Sequence, residues 1–356
     1  MAREYADEDV FVLDHQTPDL SYLGQQIWKS KVSGTPSEGW NASAPFVDHW
    51  KLARKHGPTI YLDEINWWPL IFSAKCRQIV AEDAKLIGPS KDYIDKCSRD
   101  EPDSTNPGRF RSYPWIEESE AQKLRRMPAR GALINRKLKN YVLDWGFTDA
   151  VLSVGPMRAF LLEGIRQLVL KSVNVTPDGS RGTVAGPRPN QEFVIVSHSL
   201  GSYLIFSALD LSPTEPNPLK MEKWKGRFQN ILARTSMVYF FANQLRLLEL
   251  ANLDAPSESK PNMAAHLEEW GRLRRNYLTS QMDSNRKNLA PPQIISWSDP
   301  SDLLTWNVPE LRFVVVKNRT VKNSIHWLWL LEWPSDAHGN YAMNNKVINV
   351  MLKPTP

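Results

Sequence analysis

The sequence predicts an α/β fold: a mostly parallel sheet with helices on both of its faces. Short apolar, β-branched runs alternate along the chain with segments of helical periodicity, the pattern of a parallel sheet covered on both sides. One run, Phe193-Val194-Ile195-Val196, stops abruptly at Ser197-His198-Ser199 and gives way at once to a helix-compatible stretch, Leu200 to Leu209. At 356 residues and 42% hydrophobic content, the chain suffices for one large domain or a domain carrying an insertion.

Taken in order, Asp9 to Leu13 is a short apolar run and reads as a strand, ending at the loop Asp14-His15-Gln16-Thr17-Pro18. Leu20 to Val32 reads as a helix, and the Gly, Ser, Pro and Asn of 33–46 read as loop. Phe46 to Lys55 is expected to be helical, broken by Gly57-Pro58, and Thr59 to Ile65 to be a strand, with a helix from Trp67 onward. Residues 88–117 are polar and punctuated by Pro89, Pro102, Pro107 and Pro114, so no continuous core element is expected there. Arg125 to about Asp144 reads as a basic helix. Pro156 to Val173 has strong helical spacing in Met157, Phe160, Leu161, Ile165, Leu168 and Leu170. A Gly/Pro-rich loop, 176–190, leads to the strand at Phe193. Beyond Leu209, a loop with Pro213, Pro216 and Pro218 precedes a strand at Thr235 to Ala242. A loop at 252–262, a polar helix from Met263 to about Tyr277, strands at Gln293 to Trp297 and Arg312 to Lys317, and a helix from Asn344 to Lys353 complete the reading. No internal repeat is present.

A serine at a sharp strand-to-helix turn holds its hydroxyl clear of the backbone, over a helix N-terminus that offers N–H groups and positive potential. Such a turn crowds the residues two before and two after the serine, which must be small; here they are Ser197 and Gly201. Ser197-His198-Ser199-Leu200-Gly201 resembles the nucleophile elbow of the α/β-hydrolase superfamily, usually Gly-x-Ser-x-Gly, with Ser197 at the first glycine's place. The resemblance implies an α/β-hydrolase-like sheet and a serine hydrolase cleaving carboxylic esters, in the manner of an esterase or lipase, through an acyl-enzyme on Ser199. Thioester hydrolysis or acyl transfer would use the same parts, and a non-catalytic binding protein of the same fold is the reading from another class.

A serine needs a base, and in this superfamily the chain order is nucleophile, acid, histidine. The segment Ser298-Asp299-Pro300-Ser301-Asp302-Leu303-Leu304 follows a strand and offers two carboxylates. Asp302, ahead of an apolar pair, is favoured as the triad acid, with Asp299 as the alternative; the other is expected to cap a helix. His338, in the polar stretch Ser335 to Tyr341 ahead of the last helix, is the expected base. His326, among aromatic and aliphatic neighbours, reads as a packed histidine, and His198 as an elbow neighbour pointing elsewhere. For the oxyanion hole the resemblance implies the backbone N–H of Leu200 and that of Gln16, in a loop where glycine is usual. Asn243 and Gln244, after the middle strand, either line the pocket or serve structural hydrogen bonds, the second being favoured.

Residues 1–75 and 151–356 are expected to make up the core, and 76–150 an inserted cap or lid above Ser199, setting acyl-chain selectivity. The net charge of +5 has a local source, since 121–140 contains basic residues and no acidic ones. A solvated helical face is the favoured reading of that stretch, and an anionic contact the alternative. No nucleic-acid module accompanies it. Cys76 and Cys97 form no disulfide framework or zinc spacing and read as free thiols. The seven histidines make no His-Glu-x-x-His motif, and there is no Walker loop or dinucleotide fingerprint, so neither metal nor cofactor is expected. The N-terminus lacks a signal-peptide core, and a cytoplasmic location is expected. The 14 tryptophans include local groups at Trp67 and Trp68 and at Trp327, Trp329 and Trp333. These read equally as core packing and as the lining of an apolar pocket or a lipid contact. The expected partner is a small hydrophobic ester.

Overall fold

The computed structural model describes residues 10–16, 46–52, most of 60–174, and 192–352 apart from 210–217, 250–262, 283–290 and 324–333. The helix expected at 20–32, the loop at 176–190, His326, Trp68, and Trp327, Trp329 and Trp333 lie outside the described residues. The chain divides into two compact units, 7–184 and 185–356, the latter with 1–6.

In unit 7–184, β1 (Val10–Gln16), β2 (Phe46–Leu52) and β3 (Ile60–Asn66) form an antiparallel sheet in that order, with an irregularity between Val12 and His15. Two expectations are corrected here. Phe46 to Lys55 is not a helix but contains β2: Phe46, Val47, Trp50 and Ala53 share one helical face, yet short apolar runs do not separate helix from strand by periodicity. Hydrogen bonding to strands on both sides decides the outcome. These strands also do not extend a parallel sheet. The connection 53–59 is shorter than the dozen or so residues that a parallel crossover needs, so β2 and β3 must run antiparallel.

A π-helical turn, Cys76–Val80, continues into α1 (Ala81–Ile87), followed by α2 (Lys91–Ser98) and a small hairpin, β4 (Pro102–Asp103) and β5 (Asn106–Phe110). Then come α3 (Glu118–Arg125), α4 (Thr148–Val154) and α5 (Arg158–Asn174). The basic helix expected to begin at Arg125 instead finds a helix ending there, because the residue before Pro128 is disfavoured in helical conformation. Most of 131–145 lies outside the described residues. Arg125 is spent internally, on Asp95 and Glu118 at 2.7 Å each. Ile71, Cys76, Val80, Ala84, Ile94, Cys97, Ile116, Leu124 and Leu161 form one buried cluster, and α5 packs on β2 and β3. The expected insertion 76–150 therefore shares a unit with β1–β3 and with α5, a division different from the expected one.

The two cysteines are not free thiols. Cys76 and Cys97 are disulfide-bonded, with Cα atoms 5.5 Å apart and a separation of 21 residues. Sequence spacing alone hides the bridge; α2 packs against the π-helical turn, and both cysteines are buried in the same core.

Unit 185–356 holds a sheet of β6 (Phe193–His198), β7 (Thr235–Phe241), β8 (Gln293–Ser298) and β9 (Val315–Thr320), all parallel and in that order. Between β6 and β7 lie α6 (Gly201–Leu209) and α7 (Pro218–Arg234); between β7 and β8, α8 (Leu245–Glu249) and α9 (Met263–Met282). After β9 come α10 (Pro334–Gly339), a 3₁₀ turn (Asn340–Met343) and α11 (Asn345–Leu352). Strand alternation sends neighbouring residues to opposite faces. Tyr239, Phe241, Ile295 and Trp297 pack with Tyr341 and Val347 on one face. On the other, Phe240 meets Phe206 of α6 edge-to-face at 5.8 Å, and Phe206 meets Trp270 of α9 at 6.1 Å. Helices thus cover both faces of a parallel sheet, and the fold class is α/β.

Closing a loop of this length removes unfolded-state entropy worth about 3 kcal/mol. Cys76→Ala combined with Cys97→Ala should lower the stability of unit 7–184 by roughly that amount in urea unfolding. A change below about 0.5 kcal/mol would show that the bridge constrains little.

Candidate active site

The parallel register brings the ends of three strands level: His198 pairs with Phe241, and Phe241 with Trp297. Just beyond them the backbone turns sharply. Ser199 has φ 54° and Ala242 φ 50°, conformations that cost a non-glycine residue about 1–2 kcal/mol. Both turns are held by continuation of the sheet ladder, with Ser199 N–H donating to Phe241 O at 2.7 Å and Ala242 N–H to Trp297 O at 3.2 Å. The start of α6 is fastened to the turn as well: Ser202 donates its backbone N–H and its hydroxyl to Ser199 O, at 3.1 and 2.7 Å. A Cβ at Gly201 would lie 3.1 Å from Ser197 Oγ, so the two small residues share one tight space.

The structure brings Ser199, His338 and Asp302 into one chain of hydrogen bonds. His338 Nε2 lies 2.8 Å from Ser199 Oγ, and His338 Nδ1 lies 2.9 Å from Asp302 Oδ1. A carboxylate only accepts, so Nδ1 carries the proton and Nε2 is left free to take one from the serine. Asp302 is buried, and the His338 side chain is nearly so. In such an arrangement a histidine whose tautomer a carboxylate fixes can take the proton of a serine hydroxyl.

Asp299 and Asp302 divide their duties through two consecutive Asx turns. Asp302 Oδ1 also accepts Leu304 N–H at 3.0 Å, and Asp299 Oδ1 accepts Ser301 N–H at 2.9 Å. Asp299 Oδ2 accepts Asn323 N–H at 2.5 Å, and Asn323 Nδ2 donates to Ala337 O at 3.0 Å, tying the acid turn to the helix that bears His338. Tyr341 joins the two carboxylate residues. Its hydroxyl donates to Asp302 Oδ2 at 3.0 Å and accepts Asp299 N–H at 2.7 Å. Burial, then the charge of Asp302, pushes the phenol well above the ordinary tyrosine range, which favours the protonated, donating form of Tyr341.

Three neighbours were not assigned these places by sequence. His338 lies in a short helix rather than a loop, begun by Pro334, a residue suited to a first helical turn. Once that stretch is helical, the spacing of three to Tyr341 places the two side by side. His198 does not point away: its Nε2–H donates to the backbone carbonyl of His338 at 2.6 Å, and the two rings meet edge-on with centroids 5.0 Å apart. Gln244, favoured for a structural hydrogen bond, places its side-chain nitrogen 2.8 Å from Ser199 Oγ. Leu200, at the start of α6, is buried. Gln16 ends β1, paired with Val47 in unit 7–184.

Among the described residues, no group of three or more His, Cys, Asp or Glu is placed to hold a metal ion, and no helix is long and apolar enough to cross a membrane. Comparison of the chain with protein-family models, curated proteins and solved structures finds no match.

Part of His198 is exposed, but the protein packed around its imidazole removes enough water to hold its pKa below the ordinary histidine value. The hydrogen bond to His338 O opposes this shift, the His338 ring adds to it, and Asp302 opposes it. With the folded-state pKa lowered, the unfolded chain binds this proton first as pH falls. The stability linked to neutral His198 is therefore complete above the ordinary value of 6.5 and is lost as pH drops from there through the folded pKa. Wild type should lose more stability than His198→Gln between pH 7.5 and 5.5 in urea unfolding; equal losses would remove His198 from the acid response.

Proposed function

We propose that this chain is a serine hydrolase of α/β-hydrolase-like fold that cleaves carboxylic esters. The carrying observation is the unbroken line Asp302 Oδ1, His338 Nδ1, His338 Nε2, Ser199 Oγ, with both contacts under 3 Å. In the proposed reaction Ser199 Oγ bonds to the carbonyl carbon while its proton moves to His338 Nε2. The carbonyl π pair moves to oxygen, then returns as the carbon–alkoxide bond breaks, and His338 gives the proton to the departing alcohol. Water repeats the sequence on the acyl-enzyme, releasing the acid and restoring Ser199. Asp302 keeps the histidine in register and stabilises the imidazolium.

The proposed substrate is a small hydrophobic ester, the class that the elbow's resemblance to esterases and lipases implies. Thioesters, or a second alcohol in place of water, would fit the same groups. The Cys76–Cys97 bridge favours an oxidising compartment over the cytoplasmic location expected from the sequence.

An alkyl fluorophosphonate should label wild type at Ser199 and leave Ser199→Ala unlabelled, and the variant should lose hydrolysis of a short p-nitrophenyl ester without loss of thermal stability. Labelling of the variant, or retained turnover, would sink the mechanism. Asp302→Asn should cost about 10⁴-fold in turnover, the loss found when a triad acid no longer fixes the tautomer. Asp299→Asn should act chiefly through stability, by about 1–3 kcal/mol, because it loses charge at a buried acceptor of two backbone N–H groups. The reverse ranking of turnover losses would make Asp299 the acid.

A further inference from the structure

A triad lowers the barrier to attack, but the negative charge that develops on the substrate carbonyl oxygen also needs donors. Leu200 supplies one backbone N–H, at the start of α6 and without a partner among the described residues. The residue expected to provide the second, Gln16, belongs to the other unit. Within unit 185–356 a different group stands at hydrogen-bond distance from the nucleophile: Gln244 Nε2, 2.8 Å from Ser199 Oγ.

The chemistry of the serine fixes what this contact is. Ser199 Oγ has one proton, directed to His338 Nε2. A second partner at 2.8 Å must then donate, so the Gln244 carboxamide presents its NH₂ and not its oxygen to the serine. The placement is also rigid. Gln244 is 5% exposed and follows the strained Ala242 by two residues. Between them, Asn243 is pinned on all sides. Its Oδ1 accepts Leu245 N–H at 3.1 Å and lies 3.2 Å from Ser202 Oγ, its Nδ2 donates to Trp306 O at 3.1 Å, and its own carbonyl accepts Trp306 N–H at 2.9 Å. The backbone that carries the Gln244 side chain is thus already in place when charge appears beside it, and only the carboxamide has to turn, so little of the donor's placement must be reorganised in the transition state.

We propose that the Gln244 side-chain amide is a catalytic residue: with the Leu200 backbone N–H it forms the oxyanion hole for the carbonyl attacked by Ser199. The assignment rests on the hydrolase reading above. At rest one Gln244 N–H occupies the serine lone pair. When Oγ becomes bonded to carbon, the new oxyanion lies one bond angle away from Oγ, and a small pivot carries the amide from one oxygen to the other. Gln244 is thus placed to bind the oxygen more strongly as its charge grows, which accelerates the chemical step instead of tightening the ground state.

The test measures second-order rates of Ser199 labelling by an alkyl fluorophosphonate and by its counterpart with sulfur replacing the phosphoryl oxygen. In both, an Oγ–phosphorus bond forms, the phosphorus–fluorine bond breaks, fluoride leaves and the serine proton passes to His338. Sulfur accepts hydrogen bonds poorly, so only the oxygen probe draws fully on the oxyanion hole. Gln244→Ala and the near-isosteric Gln244→Glu, whose ionised carboxylate cannot donate, should each label about 10²–10³-fold more slowly with the oxygen probe. Their losses with the sulfur probe should be much smaller, and circular dichroism should match wild type. Wild-type rates in the variants would overturn the assignment, as would equal losses with both probes, which would make Gln244 a residue that merely positions Ser199. If wild-type Ser199 is not labelled at all, the hydrolase reading falls, and this assignment with it.

Discussion

Everything at the candidate site depends on the register of one parallel sheet. Because His198, Phe241 and Trp297 stand side by side, the residues that leave β6, β7 and β8 emerge at one level. Those residues are Ser199, the Asn243-Gln244 pair, and the Asp299–Asp302 turn. Asn323 arrives just after β9 in the same manner, since Ser298 is paired with Thr320. A slip of one residue in any pair would turn that strand's side chains to the opposite face and carry its terminal group away from the others. The apolar sides of the strands, packed against α6 and α9 on one face and α11 on the other, fix that register, so core packing and chemistry are set by the same alignment.

The polar groups at the strand ends are buried, and burial without partners would cost more than the site gains. The fold meets this at the two aspartates by giving each several donors. Asp302 serves His338, Leu304 N–H and Tyr341; Asp299 serves Ser301 N–H and Asn323 N–H. Tyr341 lies at the junction, with its ring stacked on Phe241 and its hydroxyl bridging the two aspartates. It couples the apolar layer to the polar one, so that movement of the acid turn would disturb the packing of the sheet beneath it.

How much of this could be read from residues alone varied with the range of the interactions involved. The elbow was legible because its signal is local: a run of β-branched residues, an abrupt stop, and small residues two positions either side of Ser199. The placing of Asp302 and His338 beside Ser199 was legible from chain order, since a parallel sheet delivers its loops to one edge in sequence. Asp299 and Asp302, however, differ only in which partners the folded chain brings to them. The same holds for His198, whose partner is a carbonyl 140 residues away, and for Gln244, 45 residues from Ser199. The N-terminal third was read least well. β2 owes its strand form to neighbours on both sides, and the cysteines are joined only because α2 folds back on the π-helical turn. Neither effect leaves a periodicity in the sequence.

Turns usually mark where a fold loosens, but the ladder here continues one residue past the strands. Ser199 N–H, Ala242 N–H and Val321 N–H are bonded across the sheet like interior strand amides. Breaking those bonds means opening the sheet itself, so these amides belong with the slowest-exchanging protons of the unit and not with its loops. Ser199 is therefore mounted on a part of its unit that yields only when the sheet does. In the proposed hydrolase, the motion that admits a substrate or releases a product would come from elements other than the one that bears Ser199 Oγ.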